Sequence, residues 1–209
     1  MKIKVCGLKY KDNIEQIAAL QFDYMGFIFY PKSKRFVGED FEMPVINKNV
    51  KKVGVFVNAE PDYILNKINK YNLDAIQLHG DETAGYCSTV KELLLKNENT
   101  KNIELIKAFG VDESFDFEKL TPYCNSCDYF LFDTKTKEYG GSGNQFNWKI
   151  LGNYTNAIPY FLSGGIGIED IEKIKKGSIK LNPYAIDVNS KFELEPGLKD
   201  IELVTQLKN

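Results

Sequence analysis

Short apolar runs alternate with amphipathic segments along the whole chain. The runs are rich in β-branched and aromatic residues, and most of them lack polar alternation. This pattern is typical of strands that are buried on both faces of a parallel sheet. The eight runs are IKVCG (3–7), YMGFIFY (24–30), KVGVFV (52–57), DAIQLH (74–79), ELIKAF (104–109), YFLFDT (129–134), YFLSGG (160–165) and YAIDV (184–188).

The segments between the runs have helical spacing. We expect Asp12 to lie ahead of the first helix and Pro61 to lie in the first turn of the third. Strand and helix alternate eight times at a spacing of about 26 residues, which predicts one α/β domain over residues 1–209, a (β/α)₈ barrel. An open doubly wound sheet is the alternative, but it would not need eight units, and no G-x-G-x-x-G follows the first run. The apolar helical faces are Ile14, Ile17, Ala18 and Phe22; Ile64, Leu65 and Ile68; Ile171 and Ile174; and Leu198, Ile201, Val204 and Leu207.

The amino-acid composition restricts the kinds of molecule that the protein could bind. The 27 basic and 29 acidic residues nearly cancel, so the chain has no electrostatic footprint for nucleic acid or for an anionic membrane. It has neither a secretion signal nor an apolar run that could span a bilayer, so we expect a soluble, cytoplasmic protein that binds small molecules, as a monomer or homodimer. Cys124 and Cys127 form a C-x-x-C, which we interpret as incidental thiols because no second ligand pair completes a zinc site.

Candidate binding residues follow the last two runs. In such barrels function gathers where strands end, and the loops after strands seven and eight commonly bind phosphate. Gly164 and Gly165 in the seventh loop, with Asn189 and Ser190 in the eighth, therefore predict a phosphate site. A second glycine-rich segment, GGSG at 140–143, is by itself better explained as a tight turn.

Candidate acid–base residues also lie at strand ends. Asp133 is costly to bury without a partner or a task, although bonding to nearby backbone donors would explain it too. Cys6 ends the first run, where an inert packing role is its alternative. His79, the only histidine, could brace a loop and is left unassigned. Arg35 could clamp a planar carboxylate with two hydrogen bonds, or it could be a solvated loop residue.

The same segments, taken in order, resemble the phosphoribosylanthranilate isomerase family over nearly the whole chain. The similar segments are KVCG (4–7), GFIFYPKSKR (26–35), VGVFVN (53–58), QLHGDE (77–82), FDT (132–134), YGGSGNQFNW (139–148), LSGGI (162–166) and DVNSKFELEPGLKD (187–200).

The resemblance implies an Amadori rearrangement of N-(5-phosphoribosyl)anthranilate in tryptophan biosynthesis, with no metal or organic cofactor. It implies that Cys6 is the general base, Asp133 the general acid, Arg35 the anthranilate ligand and Asp187 a sugar ligand. The phosphate would lie on Gly164, Gly165, Asn189 and Ser190, and a covering loop would include Gly141, Ser142 and Gly143.

The sequence departs from the family pattern in two places. Leu8-Lys9 stands where Ile-Thr is familiar, and Lys191 stands where glycine is usual. Lys191 either adds charge beside the phosphate or reshapes that turn.

Two rivals remain at this point. One is the related isomerase of histidine biosynthesis, which resembles a barrel with two catalytic aspartates, whereas Cys6 occupies the first of those places here. The other is a barrel that binds a phosphosugar without turnover, which retention of Cys6, Asp133 and Arg35 argues against.

Overall fold

The eight apolar runs form the eight parallel strands of a closed barrel, as the pattern predicts. The structure is a computed structural model that describes residues 1–135 and 145–208. Each strand pairs with its neighbours in chain order, and the eighth closes the ring against the first. The strands are β1 (Lys2–Val5), β2 (Tyr24–Ile28), β3 (Lys51–Phe56), β4 (Ala75–Leu78), β5 (Glu104–Val111), β6 (Tyr129–Thr134), β7 (Tyr160–Leu162) and β8 (Ala185–Val188).

Alternate side chains of each strand divide between two cores. Those that face the barrel axis form an inner cluster, and those that face outward pack beneath the helices. Because both faces are buried, the outward positions need apolar residues, whereas the inner face also carries polar groups toward the carboxyl end. The inner cluster consists of Tyr24, Val53, Ala75, Ile106, Ala108, Leu131, Phe161 and Ala185.

Within residues 1–135 and 145–208, five α-helices cover the barrel. Pro61 is the first residue of its helix, as expected, because proline lacks the N–H that a helix start leaves unused. That helix is the second along the chain and not the third, since residues 29–50 form no helix. The expectation for Asp12 was wrong: the first helix already begins at Lys11, so Asp12 lies inside its first turn. A carboxylate there still interacts favourably with the helix dipole. The helices are α1 (Lys11–Ala19), α2 (Pro61–Tyr71), α3 (Ala84–Leu95), α4 (Ile168–Lys175) and α5 (Ile201–Thr205).

The strand–helix alternation is less regular than the sequence pattern suggests. Residues 29–50, between β2 and β3, form turns and extended chain, and Phe41 packs there against Phe27 and Tyr71. These aromatic contacts cover the barrel in place of a helix. After β5 and β6 the helical segments that are described are 3₁₀ turns, Phe117–Tyr123 and Trp148–Asn153.

The end of the chain also differs from expectation. Leu198 was predicted to share the helical face of the last helix, but it belongs to the strand β10 (Leu198–Lys199), which pairs antiparallel with β9 (Glu193–Glu195). The helix begins only at Ile201, after Asp200 accepts a hydrogen bond from the Leu203 N–H at 3.0 Å. That N-cap interaction fixes where the helix can start.

Two further predictions from the sequence concern the cysteines and the absence of a membrane-spanning segment. All four cysteines are free thiols, and Cys124 and Cys127 lie at and just beyond the end of a 3₁₀ turn. Among the helices in the described ranges, none is long and apolar enough to cross a membrane.

Candidate active site

A pocket opens at the rim formed by the carboxyl ends of the barrel strands. This is where barrel enzymes keep their active sites. All the predicted site residues outside the GGSG segment line it: Cys6, Arg35, Asp133, Gly164, Gly165, Asp187, Asn189 and Ser190. Gly141, Ser142 and Gly143 of the predicted covering loop lie outside the described residues.

Cys6 follows β1 directly and lies on the floor of the pocket, almost fully buried. Burial raises the pKa of its thiol, because a thiolate is poorly solvated there, while the nearby Lys4 ammonium lowers it. The neighbouring strand β2 leaves room for the sulfur only because residue 26 is glycine. A Cβ at Gly26 would lie 2.7 Å from Cys6 Sγ.

Lys4 is a fully buried cation directly below Cys6. The two residues are separated by two positions in β1 and therefore face the barrel interior together. Lys4 is in register with Asp187 on β8, and its Nζ donates to Asp187 Oδ1 at 2.9 Å. Burial alone lowers the pKa of Lys4, but Asp187 and Cys6 outweigh burial and hold that pKa above its usual value. Lys4 is therefore a fixed positive charge beneath the thiol.

Asp133 lies across the barrel axis at the end of β6. Its Oδ1 accepts the Thr134 backbone N–H at 2.8 Å, and its Oδ2 lies 3.4 Å from Nε2 of His79. The sequence left open that Asp133 is held by a nearby backbone donor instead of having a catalytic role. The structure shows such a bond, from the Thr134 N–H, and Asp133 also lines the pocket. The ring of His79 contacts two residues of the barrel strands: Nδ1 lies 2.7 Å from Gln77 Nε2, and Nε2 lies 3.4 Å from Asp133 Oδ2.

The seventh loop presents its backbone to the pocket in a conformation that suits glycine. Gly164 and Gly165 have φ of +94° and +61°, and the Ser163 N–H donates to Phe132 O at 2.8 Å. Gln145 supports this loop from outside, donating from Nε2 to the Gly165 carbonyl at 2.9 Å. Asn189, Ser190 and Lys191 line the adjoining wall after β8.

Arg35 lines the pocket but is already engaged by an acidic residue. Its Nε donates to both carboxylate oxygens of Glu193 at 3.0 Å, and its Nη2 donates to Oε2 at 2.8 Å. Nη1 takes no part in that ion pair. The arginine is therefore oriented by Glu193 rather than solvated, and its contact with a substrate carboxylate stays a prediction.

Glu193 is shared between two cations. Lys199 donates to Glu193 Oε1 at 2.7 Å and to Asn189 Oδ1 at 2.8 Å. Burial raises the pKa of Glu193, but Arg35 and Lys199 outweigh burial and keep it low. Burial lowers the pKa of Lys199 to about 8, although Glu193 opposes that shift. The β9–β10 hairpin thus connects the arginine to the loop after β8.

Four residues that support the site were not predicted from the sequence: Lys4, Gln77, Glu193 and Lys199. For the first two a signal was available, since each is polar within an apolar strand and precedes a site residue by two positions, which places both on the same face. Glu193 and Lys199 lie in the β9–β10 hairpin, and the link from this hairpin to the site is the pair that Glu193 forms with Arg35, 158 positions away, which no strand or helix periodicity marks. Within the described ranges, no group of three His, Cys, Asp or Glu side chains is arranged to hold a metal ion.

Comparison with known proteins places this geometry in one family. The sequence model described as N-(5'-phosphoribosyl)anthranilate (PRA) isomerase matches residues 3–209. The chain belongs to the PRA isomerase family. The match confirms the resemblance seen in the sequence, and it decides between this family and the related isomerase of histidine biosynthesis.

Individual relatives of this PRA isomerase family member agree in sequence and in fold. The N-(5'-phosphoribosyl)anthranilate isomerase of Parabacteroides distasonis is 44% identical over 214 residues, covering 100% of this chain and 91% of the relative. The crystal structure of the Thermotoga maritima enzyme superposes with a TM-score of 0.81 at 34% identity, covering 100% and 97% of the two chains.

A third relative carries a ligand. It is a phosphoribosylanthranilate isomerase in complex with reduced 1-(o-carboxyphenylamino)-1-deoxyribulose 5-phosphate, with a TM-score of 0.74 and 29% identity over 99% of this chain and 95% of that one. The (β/α)₈ barrel and the assignment as an isomerase are thereby confirmed for this member of the family.

Proposed function

We propose that Cys6 and Asp133 carry the conversion of N-(5'-phosphoribosyl)anthranilate to 1-(2-carboxyphenylamino)-1-deoxyribulose 5-phosphate. Asp133, protonated at the start, gives its proton to the ribose ring oxygen, and the ring opens to an iminium ion. Cys6, as thiolate, then removes the C2' proton, which leaves an enolamine that tautomerises to the ketone. The observation that carries the proposal is that the two groups line one pocket from different strands of the barrel.

The surroundings of Asp133 suit an acid that must release a proton. The Thr134 N–H donates to its Oδ1 at 2.8 Å, and Nε2 of His79 lies 3.4 Å from its Oδ2. Hydrogen-bond donors at these positions stabilise the carboxylate that is left after proton transfer. Asp133 also lines the pocket, where the substrate would meet it.

Lys4 stabilises the thiolate form of Cys6. Because the thiol is buried, a thiolate there requires a nearby cation, and Lys4 supplies one that Asp187 and Gln77 hold in place. A thiolate present as a minority at neutral pH is adequate for a base that reacts quickly.

We assign the remaining pocket residues to parts of the substrate. The phosphate lies on Gly164, Gly165, Asn189 and Ser190, where glycine allows the backbone to approach an anion closely. Lys191, the departure from the family pattern, adds a positive charge on the same wall. A relative bound to a reduced product analogue supports a ligand of this class.

The other end of the substrate is assigned by charge. Arg35, held by Glu193, contacts the anthranilate carboxylate, and Asp187 contacts the sugar hydroxyls while Lys4 neutralises it. These two assignments orient the sugar carbon between the acid and the base.

Turnover of freshly made phosphoribosylanthranilate, followed by the fluorescence of its anthranilate ring, tests the proposal. We expect the parent protein to be active and Cys6→Ala and Asp133→Asn each to lose about 10²–10⁴-fold in kcat, the usual contribution of an acid or base. Cys124→Ala is the matched control, because this thiol is half-exposed and lies outside the pocket.

A parent protein that binds a product analogue without turnover would refute the isomerase and support the barrel that only binds. Unchanged activity in either pocket variant would remove that residue from its assigned role. A loss in Cys124→Ala equal to that in Cys6→Ala would show that thiol removal acts through stability.

A further inference from the structure

A series of side-chain contacts runs from Lys4 on β1 through Gln77 and His79, at β4, to Asp133 on β6, and the last three of these residues line the pocket. Lys4 Nζ donates to Gln77 Oε1 at 2.8 Å, and Gln77 Nε2 lies 2.7 Å from His79 Nδ1. His79 Nε2 lies 3.4 Å from Asp133 Oδ2. Lys4 and Gln77 are almost wholly buried, at 0% and 1% exposure, so solvent does not replace these partners.

Because Lys4 can only donate, it fixes which atom is donor and which is acceptor in each hydrogen bond of this series. A lysine ammonium only donates hydrogen bonds, so the Gln77 atom it meets is the carbonyl oxygen. The remaining Gln77 atom is then the amide nitrogen, which also only donates. His79 Nδ1 must therefore accept, and the ring proton belongs on Nε2, facing Asp133.

Lys4 keeps this direction from reversing. Its second hydrogen bond goes to Asp187 Oδ1 at 2.9 Å, which holds the ammonium in place. Two carboxylates interact with the imidazole, namely Asp133 on β6, at 3.4 Å, and Asp187 on β8. Cys6, Arg35 and Lys191 line the same pocket as His79. With Nδ1 occupied by an amide donor, His79 has one N–H to offer, and Asp133 lies in its path.

We propose that Gln77, oriented by Lys4, is a positioning residue that fixes His79 in the Nε2–H tautomer, so that the imidazole donates to Asp133 Oδ2. The inference rests on the proposed role of Asp133 as general acid. When Asp133 has given its proton to the ring oxygen, the His79 N–H stabilises the carboxylate that remains. The hydrogen bond from the Thr134 N–H to the other carboxylate oxygen, Oδ1, keeps that carboxylate from rotating.

The tautomer is directly measurable because His79 is the only histidine in the chain. Protein without a histidine tag, grown with ¹⁵N-labelled histidine, gives one pair of ring nitrogens in a long-range ¹H–¹⁵N correlation spectrum. Near neutral pH we expect Nε2 to have the shift of a protonated nitrogen and Nδ1 that of an unprotonated one. A protonated Nδ1 in the parent protein would overturn the inference without any variant.

The variant Gln77→Glu tests whether Gln77 sets the tautomer of His79. A carboxylate offers acceptors only, so Nδ1 must acquire a proton, and its ¹⁵N shift should move to the protonated range. We expect kcat to fall about 10- to 100-fold, the size of a lost hydrogen bond to a charged group, with a smaller change in KM. Gln16→Glu, the same change at an exposed position of α1, should alter neither the ring shifts nor kcat.

The outcomes separate this inference from the proposed reaction. Unchanged ring shifts in Gln77→Glu, with the fold retained, would exclude Gln77 as the residue that sets the tautomer. The Nε2–H tautomer in a parent protein that never turns over substrate would refute the reaction and leave the hydrogen-bond chain standing. An active parent with the other tautomer would refute only the inference drawn here.

Discussion

Gly164 joins the predicted phosphate loop to the predicted acid, so adding one methyl group there should damage both. A Cβ at this position would lie 2.4 Å from Thr134 Oγ1, 2.9 Å from Thr134 N and 3.3 Å from Asp133 Oδ1. The first two distances are shorter than side-chain atoms tolerate, and one of them involves backbone. The Gly164→Ala variant therefore has to move β6, the loop, or both.

The expected cost has two parts. A residue with a Cβ at φ of +94° costs about 1–2 kcal/mol in backbone strain. Overpacking against Thr134 adds about 1–3 kcal/mol. We therefore expect the free energy of unfolding to fall by about 2–5 kcal/mol. Because the Thr134 N–H holds Asp133, a displacement of about 1 Å there should also lower kcat by up to about 10²-fold.

Denaturant unfolding and steady-state turnover of Gly164→Ala test this reasoning beside Gly177→Ala. Gly177 has φ of +71°, and an added Cβ there meets nothing within 4 Å, so the control carries the strain without the contacts. It should lose about 1–2 kcal/mol and keep the parent kcat. If the two variants lose equal stability and Gly164→Ala keeps its activity, the steric account of this loop is wrong.

Three further expectations follow from the buried charges. Because burial raises the pKa of Cys6, the thiolate fraction, and with it kcat/KM, should increase with pH from neutral toward alkaline conditions; a profile that is flat there would contradict the thiolate base. Arg35→Lys should raise KM about tenfold or more with a smaller effect on kcat, because a point charge replaces a planar donor that Glu193 orients. An unchanged KM would show that Arg35 does not bind the substrate. Glu82→Ala should cost about 3–5 kcal/mol in denaturant unfolding, because it removes the buried partner of Lys107 at 3.0 Å, and a cost below about 1 kcal/mol would show that water reaches this lysine.

The order of the strands and the place of the site could be predicted because both depend on local pattern. Apolar runs of five to seven residues identify strands buried on both faces, and closing eight of them puts every strand end on one rim. Cys6, Asp133 and Gly164 are therefore brought together by rules that need no knowledge of contacts. The same pattern predicted a regular alternation of strand and helix, and this was wrong after β2, where residues 29–50 cover the barrel with aromatic packing instead of a helix.

By itself, the sequence determined a barrel with a ring of polar residues at its carboxyl end and, through long family motifs, the reaction. Only the tertiary structure decided which charges meet. Lys4 reaches Asp187 across 183 positions and Arg35 reaches Glu193 across 158, and no periodicity predicts either partner. A buried ionisable group takes its properties from neighbours a few ångströms away. Barrel closure selects those neighbours, so the environment of Cys6 and the tautomer of His79 depend on contacts that exist only after folding.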